Sequence, residues 1–117
     1  MYLVTDGNRN VQASKVRALG LEAHFKRVFI THRFGVQNAK PSVHCFALIR
    51  KIEGCAWTDM AYIGDNPAKD FVNLNPLGVL TVRVMTGEHA RVVAKPGFDA
   101  RVRIAGIEDL SPILKEV

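Results

Sequence analysis

No run in the 117 residues approaches the roughly 20 apolar positions of a membrane span. The start, MYLVTDGNRN, has neither the basic segment nor the apolar stretch of a signal peptide, so a cytoplasmic chain without membrane association is expected. The sequence is poor in cysteine. Its 2 cysteines, Cys45 and Cys55, make no CxxC and no other metal spacing, and free thiols are expected. The 4 histidines, His24, His32, His44 and His89, are scattered with no HExxH, which argues against a zinc-hydrolase helix. Aromatic residues make up 8% of the chain and do not interleave with basic ones as in single-strand nucleic-acid binders, so nucleic acid is not an expected partner. No repeat, low-complexity tract or linker divides the chain, and a single domain over residues 1–117 is expected.

Charge is present but uneven. Residues 1–51 hold 9 Lys/Arg and 2 Asp/Glu, a net of +7, whereas residues 52–117 hold 7 and 9, a net of −2. A basic half suits an anionic partner: a phosphate ester, a nucleic acid or an acidic protein. Its basic residues are dispersed, and they read as a solvated face unless a site gathers them.

Short apolar runs alternate with helical patterns. Strands are expected at Tyr2–Val4, ending at Thr5, and at Arg27–Ile30, with a helix from about Val11 to Leu19 between them. Pro41 suits the first turn of the clearest helix, where Cys45, Leu48, Ile49 and Ile52 form one apolar stripe. Met60–Ile63 reads as a third strand. Pro67 would open a helix that buries Phe71 and Leu74. Val79–Val84 is a β-branched fourth strand. A mobile loop is expected over residues 85–100, an edge strand at Val102–Ile104, and a closing helix from Ser111-Pro112. This alternation implies an α/β fold, a three-layer sandwich around a parallel, Rossmann-like sheet. Ligands of such sheets bind beyond the strand carboxyl ends, where Thr5, Thr31-His32 and Asp65 fall.

The residues at those ends suggest a chemistry. Thr5 offers a hydroxyl, and the amides of Asp6 and Gly7 open toward a helix N-terminus, which suits a phosphate. Lys40 adds a positive charge. Asp65 and Asp70, across an Asn-Pro turn, form a hard-oxygen pair suited to Mg²⁺. Anion cradle, cation and metal carboxylates are parts of a phosphoryl-transfer site. Singly, each has an ordinary reading: TDGN as a turn, a lysine before proline as surface, GDNP as an N-cap. Their order along the chain is what joins them.

At these residues the chain resembles the core of the haloacid dehalogenase (HAD) superfamily of phosphohydrolases. The likeness covers essentially the whole chain, from the second strand of that fold to its C-terminal helix. LVTDGN resembles the family's second motif, AKPS its third and IGDNPAKD its fourth and most specific. The resemblance implies that Thr5 hydrogen-bonds the transferring phosphoryl group and Lys40 neutralises charge around it. It implies that Asp65 binds Mg²⁺ and that Asp70 supports the metal or Lys40. A phosphorylated small molecule is the implied substrate. There is no room between Thr5 and Lys40 for a large cap domain, and the smaller kind would precede Thr5, so no cap is expected.

The chain departs from the family's pattern in its first motif, DxDxT, whose first aspartate is the nucleophile. None of the six aspartates, Asp6, Asp59, Asp65, Asp70, Asp99 and Asp109, is followed two residues later by another. Asp6 follows Leu3-Val4-Thr5, but Asn8 stands where the second aspartate is needed. The reading is therefore a HAD-like core missing its first strand, with one metal ligand fewer and no turnover on its own. The missing strand would be central, so the chain must pair its remaining strands directly, form a homodimer, or take a strand from a partner. Two alternatives stay open: an enzyme completed by a separate chain carrying DxDxT, or a binding module for phosphate-bearing ligands or nucleic acid.

Overall fold

The computed structural model describes residues 2–5, 27–30, 37, 39–106 and 109. The chain divides into two compact units, Met1–Gly54 and Cys55–Val117. The helices expected near residues 11–19 and 111–117 lie outside the described residues.

In the first unit, β1 (Tyr2–Thr5) runs parallel to β2 (Arg27–Ile30), with Tyr2 opposite Arg27 and Thr5 opposite Ile30. Helix α1 spans His44–Glu53 and starts later than Pro41 would place it. Ahead of it the chain turns, with the Ser42 amide donating to the Ala39 carbonyl at 2.9 Å, and the His44 amide then meets the Ser42 hydroxyl at 3.2 Å. The Lys40–Pro41 peptide within that turn is cis. The buried face of α1 is Cys45, Phe46 and Ile49, while Ile52 is 43% exposed. The expected stripe is thus rotated toward Phe46, the largest apolar side chain on the helix. Arg50 and Lys51 complement the carbonyl end of the helix dipole, and the Tyr2 hydroxyl donates to the Glu53 carboxylate.

The second unit holds a three-stranded parallel sheet in the order β3 (Ala61–Gly64), β4 (Leu80–Val84), β5 (Val102–Ile104). Gly64 pairs with Arg83, and Val84 with Ile104. Phe71, Leu74, Val79, Val82 and Ile104 form its apolar core, each contributing roughly 1.5–3 kcal/mol by leaving water. Among the described residues no helix is long and apolar enough to cross a membrane. All described ladders are parallel, which makes the fold α/β and Rossmann-like.

One expectation fails in this unit. Residues 66–77 bury Phe71 and Leu74 as anticipated, but they form separate turns and a short 3₁₀ segment, Asn75–Leu77, in place of a helix from Pro67. The polar side chains are engaged elsewhere: Asn66 Oδ1 accepts from the Ala68 amide, and Asn75 links the Thr81 hydroxyl to the Asp99 carbonyl. Such bonds compete with helix continuation. Residues 85–100 hold turns but no helix or strand, as a loop should. Arg83, a β4 side chain only 1% exposed, bonds to His89, Val92 and Asp99 within it.

Candidate functional site

Where β3 ends, the chain folds back on itself. The Asn66 carbonyl accepts from the amides of Lys69 (3.1 Å) and Asp70 (2.9 Å), returning Asp70 toward the strand end. Asp70 Oδ2 there accepts from the amides of Asp65 (3.2 Å) and Asn66 (2.9 Å), and the Tyr62 hydroxyl donates to Oδ1 at 3.2 Å. Asp70 is 4% exposed. It fits because residue 64 is glycine: a Cβ there would stand 2.5 Å from Asp70 Oδ2. Tyr62 also packs its ring against Phe71, with centroids 6.3 Å apart.

Asp65 is placed oppositely. Its side chain is exposed, and its amide, not its carboxylate, makes the bond to Asp70. The Gly87 backbone passes beside it, so that a Cβ on Gly87 would lie 3.7 Å from Asp65 Oδ2. The two aspartates thus differ in circumstance: Asp70 holds the loop from inside, while Asp65 stands at the sheet's carboxyl edge with an open glycine beside it. No cluster of three or more His, Cys, Asp or Glu occurs among the described residues. A lone exposed carboxylate flanked by open backbone still fits Mg²⁺, which keeps most of its waters and uses one or two carboxylates.

Thr5 and Lys40 belong to the first unit, Thr5 as the last residue of β1 and Lys40 in the turn before α1. Asp6, Gly7 and His32 lie outside the described residues. His44 sits on α1, and His89 approaches Glu88 at 3.3 Å. Cys45 and Cys55 are free thiols.

Sequence reasoning passed over Arg83 and Gly87. Nη1 of Arg83 donates to Asp99 Oδ1 at 3.3 Å, and Nη2 donates to the carbonyls of His89 (3.1 Å) and Val92 (2.6 Å). A charge inside a strand otherwise reading VLTV-V was the available signal, because a buried parallel strand admits a charge only with dedicated partners. Asp99 also accepts from Arg103 and from the Ala100 amide (2.8 Å).

Burial pushes the Asp99 pKa up, but the Arg103 hydrogen bonds, the Ala100 amide and Arg83 together outweigh it and hold the carboxyl below its ordinary value. Because the folded pKa is depressed, the resulting stability is fully present above the unfolded value, about 3.9, and is lost as pH falls through the folded one. Urea unfolding from about pH 5 down to pH 2 should therefore show a shallower acid loss in Asp99→Asn than in the parent chain. Equal slopes would mean that other carboxylates carry the acid limb.

The described ladders are all parallel, and Asp65 and Asp70 follow directly on the carboxyl end of β3. No family model matches the sequence. Over 87 residues, 74% of its length, the chain is 31% identical to glyceraldehyde 3-phosphate phosphatase of Methanocaldococcus jannaschii, covering 37% of that protein. It is 34% identical over 87 residues to phosphoserine phosphatase of Thermus thermophilus, again 74% of this chain and 34% of that protein. Among solved structures, the HAD-hydrolase YfnB from Bacillus subtilis, bound to magnesium, superposes with a TM-score of 0.78 at 25% identity, over 97% of this chain and 48% of its own. A HAD phosphatase from Thermococcus onnurineus shares the fold, with a TM-score of 0.73 at 23% identity over 97% of this chain and 49% of that one. The chain belongs to the haloacid dehalogenase superfamily. It spans about a third of the length of the curated phosphatases it matches and about half that of the solved chains.

Proposed function

We propose that this chain carries the second, third and fourth motifs of a Mg²⁺-dependent phosphatase acting on a phosphorylated small molecule, and that the 117 residues do not turn over on their own. The observation that supports this most is the division of labour between Asp65 and Asp70: one exposed at the strand end, the other buried and spent on the loop amides. Asp65 is the residue assigned to Mg²⁺, with Asp70 fixing the backbone that presents it. Thr5, with the amides of Asp6 and Gly7, is assigned to the phosphoryl oxygens and Lys40 to their charge. Mg²⁺, when bound, supplies neutralisation of charge on the phosphoryl group. What these residues lack is an attacking group, since no aspartate has the paired aspartate that DxDxT requires. With p-nitrophenyl phosphate and Mg²⁺ the chain should show no hydrolysis above background. Hydrolysis that disappears in Asp65→Asn would refute the proposal.

A second reading starts from the described strands, which pair as β1–β2 within the first unit and β3–β4–β5 within the second. A strand-donating partner, either a chain carrying DxDxT or a second copy in a homodimer, would supply the strand that the family's first motif requires. Mixing with a DxDxT-bearing chain should restore phosphatase activity; a mixture that neither associates on gel filtration nor hydrolyses the ester removes this reading.

A further inference from the structure

Arg83 and Asp65 are linked through the backbone between them. Arg83 stands opposite Gly64 in the β3–β4 ladder, one residue from Asp65 in register. Its Nη2 holds both ends of one turn, because the Val92 amide donates to the same His89 carbonyl (3.1 Å) that accepts from Arg83. That turn is continuous with the one before it, in which the Ala90 amide donates to the Gly87 carbonyl at 3.3 Å. Gly87 has a φ of +79° and passes Asp65 closely enough that a Cβ on it would lie 3.7 Å from Oδ2. One guanidinium therefore governs where the chain runs beside the exposed carboxylate. Lysine, shorter and with a single nitrogen, could not span the two carbonyls and Asp99 as the two terminal nitrogens of the guanidinium do.

We propose that Arg83 is a positioning residue for the Asp65 cation site: its grip on the His89 and Val92 carbonyls holds the side-chain-free Gly87 turn beside the carboxylate, preserving room for a hydrated divalent cation. This rests on the assignment of Asp65 to Mg²⁺. A cation that retains its waters needs open space and a fixed backbone around its one carboxylate. Releasing the turn would let Glu88 and its neighbours sample that space. Groups surrounding a metal ligand commonly set affinity without touching the metal.

The test uses Mn²⁺ as the probe, read by paramagnetic broadening of backbone amide resonances in the 117-residue chain, with circular dichroism to confirm folding. In the parent chain, broadening should centre on Asp65 and Gly87 and vanish in Asp65→Asn. Arg83→Lys should weaken Mn²⁺ binding about tenfold, and Gly87→Ala should do so with the Arg83 contacts intact, whereas Arg103→Gln should leave it within about twofold. A folded Arg83→Lys that binds Mn²⁺ like the parent overturns the inference while leaving Asp65 as the ligand. If Arg83→Lys does not fold, parent-like binding by Gly87→Ala overturns it. Broadening that is absent from the parent, or unchanged in Asp65→Asn, overturns the assignment of Asp65 and the inference with it.

Discussion

Asp99→Ala is expected to destabilise the second unit by about 3–5 kcal/mol, because it strips a buried guanidinium of its counter-ion. Arg83 is 1% exposed, and its Nε has no hydrogen-bond partner among the described residues. Among the described residues its charge is compensated by Asp99 and by two carbonyls. Carbonyl dipoles solvate a cation but do not neutralise it, so the full desolvation cost reappears when the carboxylate goes. Arg103→Gln is the contrasting case. That side chain is 59% exposed, and losing an exposed ion pair costs about 0–1 kcal/mol. Urea midpoints of the two variants separate these cases. Equal, small shifts would show that Arg83 does not depend on Asp99.

Gly64→Ala is expected to cost about 2–3 kcal/mol and to disorganise the aspartate loop together with the strand end. The new methyl would meet Asp70 at 2.5 Å from Oδ2, 2.8 Å from Cγ and 3.0 Å from Cβ. Asp70 is poorly able to retreat. It is buried, its backbone is tied to Asn66, and its carboxylate accepts from two amides and a tyrosine hydroxyl. If it does move, the Asp65 and Asn66 amides lose their acceptor, and leaving such groups buried and unpaired carries its own penalty of about 1–3 kcal/mol. Denaturant unfolding gives the stability loss, and faster hydrogen exchange at the Asp65 and Asn66 amides gives its location. A Gly64→Ala chain with parent stability and unchanged exchange at those amides would show that the loop can repack around a Cβ.

The strands were legible because parallel strands announce themselves as short apolar, β-branched runs. Tyr2–Thr5, Arg27–Ile30, Ala61–Gly64, Leu80–Val84 and Val102–Ile104 fall within a residue or two of the expected segments. Residues 66–77 misled for a physical reason. Proline at a first turn and apolar residues at helical spacing describe a helix and a series of tight turns equally well. The side-chain bonds of Asn66, Asp70 and Asn75 decided between them; those of Asn66 and Asp70 are local, whereas the one from Asn75 to the Asp99 carbonyl spans 24 residues and leaves no trace in the pattern. The stripe of α1 was off by one position because periodicity marks a face, while the bulk of Phe46 settles which part of it turns inward.

By itself, the sequence determined the alternation that makes an α/β fold, the positions of Thr5, Lys40, Asp65 and Asp70 along the chain, and the absence of a paired nucleophilic aspartate within these residues. These are matters of local pattern and residue type. Only the tertiary structure decided that Asp65 and Asp70 are not equivalent, that Gly64 is glycine to admit a buried carboxylate, and that Arg83 reaches from a strand to the carbonyls of His89 and Val92. Burial sets that difference: a buried carboxylate must take its acceptor bonds from nearby amides and hydroxyls while an exposed one faces water, and burial depends on which segments pack together in space.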